Sequence, residues 1–215
     1  MRRTLKDYPQ VSLRLEDLDG QIDFIRLFGR PGPVHIEIGI GRGTFLVNQA
    51  KAHPQLNFLG IEWANKYYRY CVDRIGRWNL TNVRIIRTDA AQFLTDYISD
   101  SSVDCFHVYF PDPWPKKRHH KRRFFNTANT DQLLRSLKPG GHLRIATDHA
   151  EYFEQIKNVI AANANRVEQV DFLPADGAPA SACVDKRGGE WVGTNFERKY
   201  LKENRPIFCL AVRKK

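Results

Sequence analysis

From Val34 onward the chain alternates short apolar runs with stretches of helical periodicity, and few architectures accept that order. The runs are VHIEIGI (34–40), LNFLGIE (56–62), VRIIRT (83–88), VDCFHVYF (103–110) and HLRIAT (142–147). Strands separated by helices pair in parallel, because each helix carries the chain back across the sheet. Between the second and third runs the spacing predicts a helix with Tyr67, Cys71, Ile75 and Trp78 on its buried face. Lys66, Arg69, Asp73 and Arg77 fall on its other faces. A further helix from about Phe124 to Leu137 must stop at LKPGG, where Pro139 and two glycines forbid continuation. Asp148 and Glu151 read as a capping box that opens a helix carrying Phe153, Ile156 and Ile160. The last run, IFCLAV (207–212), is apolar on both faces and belongs inside the sheet. Before it, 174–193 reads as a long irregular loop, of a length usually tied to function or mobility.

At 215 residues one sizeable core is expected, with residues 1–30 a partly flexible N-terminal extension and 31–215 the main domain. Lysine and arginine exceed the acids by enough to give a formal charge of +10. That surplus favours a polyanionic partner, nucleic acid first and an acidic membrane surface second. No apolar run reaches the length of a membrane span, and MRRTLKDYPQ lacks the apolar core of a signal peptide. Cys71, Cys105, Cys183 and Cys209 form no CxxC and no metal-ligand spacing, so they read as small core residues in a reducing cytoplasm. His119 and His120 sit among repelling cations, and no metal is expected.

Chemistry concentrates where strands end. Gly39, Gly41 and Gly43 follow the first strand and precede a helix beginning near Thr44, which permits a tight turn and close approach of backbone to a ligand. In an open parallel sheet, ligands lie outside the carboxyl ends of the strands. Four successive strands carry an acid within or just beyond their ends: Glu37, Glu62, Asp89 and Asp112. A pyrophosphate brought among them would be repelled, by about 4 kcal/mol for each pair of charges near 4 Å at an effective dielectric of 20. A nucleoside-like cofactor bearing positive charge would be attracted, and S-adenosylmethionine offers a sulfonium, an ammonium and a ribose diol. Each acid also has a plain structural use, with Asp89 capping a helix from Ala90 and Glu62 one from Ala64.

The segment FPDPWPKKRHHKRR (110–123) joins a stiff corner to a basic run. Its prolines fix φ and remove backbone donors, giving an extended, rigid turn able to hold Asp112 in line with a reacting group. Trp114 could stack a base or pack in the core. The basic run reads as a handle for a phosphate backbone, or as a solvated charged face.

Taken in order, Glu37-Ile-Gly-Ile-Gly-Arg-Gly, Phe110-Pro-Asp-Pro-Trp-Pro-Lys-Lys, Ala146-Thr-Asp148 and Thr194-Asn-Phe-Glu197 resemble the bacterial tRNA (guanine-N7)-methyltransferase family, from about Val34 to Arg213. The resemblance implies an α/β class I methyltransferase with a Rossmann-like, doubly wound, mostly parallel seven-stranded sheet and helices on both faces. It implies S-adenosylmethionine as cofactor, contacted by Glu37, Gly39, Gly41, Gly43, Glu62, Asp89, Ala90 and Asp112, with Asp112 catalytic. It assigns Lys116, Asp148, Thr194, Asn195, Phe196 and Glu197 to the substrate side. Arg118, His119, His120, Lys121, Arg122 and Arg123 would meet RNA. The reaction implied is transfer of methyl to N7 of guanine-46 in the tRNA variable loop, by a cytoplasmic monomer or homodimer with no membrane partner. T-x-x-E is also a capping box, so Thr194 and Glu197 have a second, structural reading.

Three alternatives follow from the residues. A nicotinamide dehydrogenase would need a dinucleotide fingerprint that GxGxG does not complete. A non-catalytic RNA-binding module accounts for the charge and leaves the carboxylates without a purpose. A methyltransferase for exocyclic amines fits D-P-W after the fourth strand. For guanine N7, whose lone pair is already available, Asp112 is expected to stabilise developing positive charge and not to act as an obligatory base.

Overall fold

The computed structural model describes residues 4–172 and 193–215, which fall into two compact units dividing between Ser99 and Asp100. Most of the loop expected at 174–193, with Cys183, lies outside the described residues.

In the first unit the strands are β1 (Ser12–Leu13), β2 (Val34–Ile38), β3 (Asn57–Ile61) and β4 (Val83–Ile86), ordered β1-β4-β3-β2 and all parallel. The helices are α1 (Phe24–Phe28), α2 (Thr44–Ala52), α3 (Asn65–Arg77) and α4 (Ala90–Tyr97). Near-continuous burial along β2, β3 and β4 is what strands covered on both faces require. Ile40, Leu46, Phe58, Cys71, Ile75 and Ile85 form the centre of one core cluster.

Helix α3 is turned from its expected orientation. Cys71 and Ile75 are buried, but Tyr67 and Trp78 are exposed and Asp73, expected outside, is 1% exposed. The N-terminal segment explains the difference. The Lys6 backbone N–H donates to Asp73 Oδ1 at 3.1 Å, Arg77 Nε donates to its other oxygen at 2.9 Å, and the Tyr8 ring lies against Gly76 so closely that a Cβ there would sit 2.0 Å from it. With β1 paired to β4, residues 6–13 cover a flank of α3 that periodicity alone assigns to solvent.

The second unit holds β5 (Val103–Tyr109), β6 (Leu137–Thr147), β7 (Val167–Val170) and β8 (Phe208–Lys214), ordered β5-β6-β8-β7. Strands β5 and β6 are parallel, and β8 runs antiparallel to both β6 and β7, which makes IFCLAV an interior strand as its apolar faces predict. Helices are α5 (Thr127–Ser136), α6 (Ala150–Ala161) and α7 (Asn195–Lys202). Helix α5 stops where LKPGG begins, as predicted, but starts three residues later than expected because Asn126 caps it, accepting from the Asn129 N–H at 3.0 Å. Helix α6 is capped one residue beyond Asp148: His149 Nδ1 accepts from the Tyr152 N–H at 3.2 Å, and Asp148 pairs with Arg205 instead.

Among the described residues the strands number eight, against seven expected; two-residue β1, too short for periodicity to register, lies in the N-terminal segment. Among the described residues no helix is long and apolar enough to cross a membrane.

Candidate active site

The residues assigned to the cofactor, Asp112 apart, lie in the first unit. Glu37 stands near the end of β2, 4% exposed, and its Oε2 has no hydrogen-bond partner. Burial, reinforced by the charge of Glu62 and partly offset by the Leu46 backbone N–H, raises its pKa well above the carboxylate range. A buried carboxylate oxygen left unpaired costs about 1–3 kcal/mol or more, so its retention calls for a function. Glu62, at the end of β3, is buried and engaged: Oε2 accepts from the Gly41 N–H and Oε1 from the Ala64 N–H, each at 2.8 Å. It fixes the glycine loop to the start of α3, so its structural reading is realised beside any ligand role.

The three glycines differ. Gly39 (φ +77°) and Gly41 (φ +51°) adopt left-handed backbone, and a Cβ on either would meet no atom within 4 Å. Those positions leave room for a ligand to approach the backbone. Gly43 (φ +64°) faces the core instead, where a Cβ would lie 2.8 Å from Cys71 Sγ. The Cys71 thiol donates to the Gly41 carbonyl at 3.2 Å, and burial raises its pKa far above the usual thiol value. Asp89 is exposed and caps α4, accepting from the Gln92 N–H at 3.0 Å, with Ala90 the first helical residue.

Orphan oxygen, open glycine positions and two clustered acids together fit a cofactor with an ammonium or hydroxyl groups, and not a pyrophosphate.

The second unit holds the remaining residues. Strand β5 ends at a corner whose two flanks are both strained: Phe110 (φ +53°) and Trp114 (φ +42°) are left-handed, a backbone that bulky residues rarely adopt. The corner is therefore kinked at both ends, not extended throughout as the prolines suggest. The Phe110 N–H donates to the Ala146 carbonyl at 2.7 Å, and its ring meets Phe196 and Tyr200 of α7 at 6.0 and 5.4 Å between centroids. Asp112, between the flanks, is exposed.

Lys116 is exposed and caps a 3-10 turn over Lys117–Arg122, in which Arg118, Lys121 and Arg122 are exposed and His119 and His120 half-buried. The Arg122 guanidinium lies 4.9 Å from the centre of the Trp114 ring, and His119 meets that ring edge-on. Arg123 departs from its neighbours. Its side chain is 1% exposed, and it donates to Pro113 O and Gln155 Oε1, each at 2.7 Å. Nothing in the basic run distinguishes it; its partners on the corner and on α6 do.

The T-x-x-E tetrad caps α7, with its glutamate reaching back to the residue before the cap. Thr194 Oγ1 accepts from the Glu197 N–H at 3.0 Å, and Glu197, fully buried, accepts from the Gly193 N–H at 2.6 Å. Asn195 and Phe196 are exposed between them. Asp148, held by Arg205, helps raise the pKa of Tyr200, although burial is the larger cause.

A family model described as "Putative methyltransferase" matches residues 31–210. A tRNA (guanine-N(7)-)-methyltransferase of Alkalilimnicola ehrlichii is 35% identical over 208 residues, covering 97% of this chain and 84% of that protein. Its counterpart in Yersinia enterocolitica is 39% identical over 186 residues, 83% and 77% of the two chains. Among solved structures, a 30S ribosomal A1408 methyltransferase from an uncultured bacterium superposes with a TM-score of 0.58 at 16% identity, covering 91% of this chain and 95% of the other. A Streptococcus mutans protein described as a methyltransferase, solved in complex with SAH, gives 0.53 at 11% identity over 86% and 89%. These structural matches carry the methyltransferase fold, and the sequence matches carry more: the chain belongs to the tRNA (guanine-N7-)-methyltransferase family.

Proposed function

We infer that this protein transfers a methyl group from S-adenosylmethionine to N7 of a guanine in tRNA, at position 46 of the variable loop, forming 7-methylguanosine. The observation that carries this is the match to a tRNA (guanine-N(7)-)-methyltransferase over 97% of the chain, which includes both sets of site residues. The bound cofactor supplies an electrophilic methyl on a sulfonium.

In the first unit, Glu37 presents its unpaired oxygen as an acceptor, and Gly39 and Gly41 let a ligand approach bare backbone. Glu62 keeps the Gly41 N–H turned to its own carboxylate, so the loop holds its shape before any ligand arrives. In the second unit, the basic turn attracts the phosphate backbone and sets orientation, with an attraction that salt screens.

Guanine N7 needs no deprotonation before attack. The product ring is cationic, and an acid fixed beside it stabilises charge as it forms. Asp112 serves that purpose at a corner whose strained ends leave it little freedom. A tRNA transcript whose guanine-46 is replaced by 7-deazaguanine tests atom and position together. The unmodified transcript is expected to take up labelled methyl and the substituted one none; equal uptake would place the reaction elsewhere.

A further inference from the structure

Arg123 closes a basic run, yet its environment is that of an internal strut. Among the described residues its polar contacts lie within the second unit. Nε donates to Pro113 O and Nη1 to Gln155 Oε1, each at 2.7 Å, while Nη2 lies 3.0 Å from His120 Nε2 and 3.4 Å from Glu151 Oε1. Its guanidinium stands 4.9 Å from the centre of the buried Tyr152 ring. Gln155 in turn donates through Nε2 to Phe125 O at 2.8 Å, and the Phe125 N–H donates to the Tyr152 hydroxyl at 3.0 Å. Burial is the main reason the Tyr152 pKa rises to about 12, which keeps the phenol neutral beside the cation.

Pro113 immediately follows Asp112, and the next residue is the left-handed Trp114. A strained conformation persists only when its surroundings over-determine it. The Pro113 carbonyl is tied down by a charge-assisted hydrogen bond, the stronger kind, from a guanidinium that cannot deprotonate and whose planar fork also reaches Gln155 and Glu151 of α6. A lysine in its place keeps the charge but cannot bond Pro113 O and Gln155 Oε1 in the same geometry.

We propose that Arg123 is a positioning residue: it fixes the Asp112 corner against α6 and takes no part in binding RNA phosphate. The inference rests on the methyltransferase reading above. It divides the basic run by task, with the exposed Arg118, Lys121 and Arg122 facing the polyanion and Arg123 facing inward.

The test compares wild type, Arg123→Lys, Gln155→Ala and Arg118→Ala for turnover at saturating tRNA, tRNA affinity as a function of salt, and hydrogen exchange of the peptide spanning 110–125. Arg123→Lys is expected to lower kcat at least tenfold and speed exchange across the corner, with tRNA Kd changed less than twofold and its salt slope unaltered. Gln155→Ala, which changes no charge, is expected to produce the same pattern more weakly. Arg118→Ala is expected to weaken tRNA binding and flatten its salt slope. Loss of tRNA affinity with retained kcat in Arg123→Lys would overturn the proposal, and so would unchanged kcat and exchange. If wild type itself makes no 7-methylguanosine, the reading of the reaction falls, while the exchange measurement still decides whether Arg123 holds the corner.

Discussion

Glu37 and Arg123 are both ionisable, both buried, and opposite in what their burial means. Arg123 is held by carbonyl, amide, imidazole, carboxylate and aromatic ring. Glu37 keeps one carboxylate oxygen with no partner. A buried cation held by several partners is architecture, since breaking such a network typically costs about 3–5 kcal/mol. A buried carboxyl oxygen left unpaired is a cost that folding alone does not recover, and a ligand can. On the proposed reading the glycine-loop region waits for a ligand, whereas the proline corner is held by the chain's own side chains.

The largest effect that could break this contrast belongs to the residue the corner presents. Asp112→Asn is expected to lower turnover by about 10²-fold or more, the scale of removing one preorganised electrostatic group. The pH–rate profile should show no carboxylate pKa required for chemistry; an essential one would make Asp112 a base.

Glu37→Gln comes next. It should weaken S-adenosylmethionine binding about tenfold or more in calorimetry, consistent with loss of a charge-assisted hydrogen bond worth about 1.5–3 kcal/mol. It should also change how the cofactor-free protein responds to pH. Burial raises the folded pKa of Glu37 above its unfolded value near 4.3, so between the two the native chain binds the extra proton. Stability conferred by this group is thus present at low pH and lost as pH rises through that window. Thermal melts of wild type should fall with pH relative to Glu37→Gln, and a difference independent of pH would remove the ionisable, unpaired carboxylate from the account.

Two glycines sharpen the comparison within one loop. Gly43→Ala should destabilise the fold by about 1–3 kcal/mol, because a Cβ would press on Cys71 Sγ. Gly41→Ala should cost only about 1–2 kcal/mol of backbone strain yet weaken cofactor binding more, since open space surrounds it. Melting temperature and cofactor affinity measured on both variants separate the two. The smallest effect is Lys121→Ala, expected to lower tRNA affinity a few-fold and reduce the salt slope by about 0.7–0.9, as loss of one phosphate contact would; no change in slope would make Lys121 a solvated charge.

Much of the fold was legible because it rests on patterns of apolar residues. Five strands from Val34 to Thr147 and the interior strand at 207–212 emerge from run length alone. The acids Glu37, Glu62, Asp89 and Asp112 stand at strand ends for the same reason. What sequence could not give is which face of an element a distant segment covers. Tyr8 against Gly76 and Lys6 on Asp73 turn α3 away from its expected face, a contact 67 residues apart in the chain. Arg123 looks like Arg122 until Gln155 and Tyr152 of α6 are beside it. Likewise Gly43 looks like Gly41 until Cys71 fills the space next to one and not the other. Local chemistry names candidates; tertiary partners decide which of them face a ligand.

The most direct test of the central claim is to incubate the purified protein with unmodified tRNA and methyl-labelled S-adenosylmethionine, digest the RNA to nucleosides, and identify the labelled one. The account predicts label in 7-methylguanosine. Label in any other nucleoside, or tRNA retained without label, would contradict it.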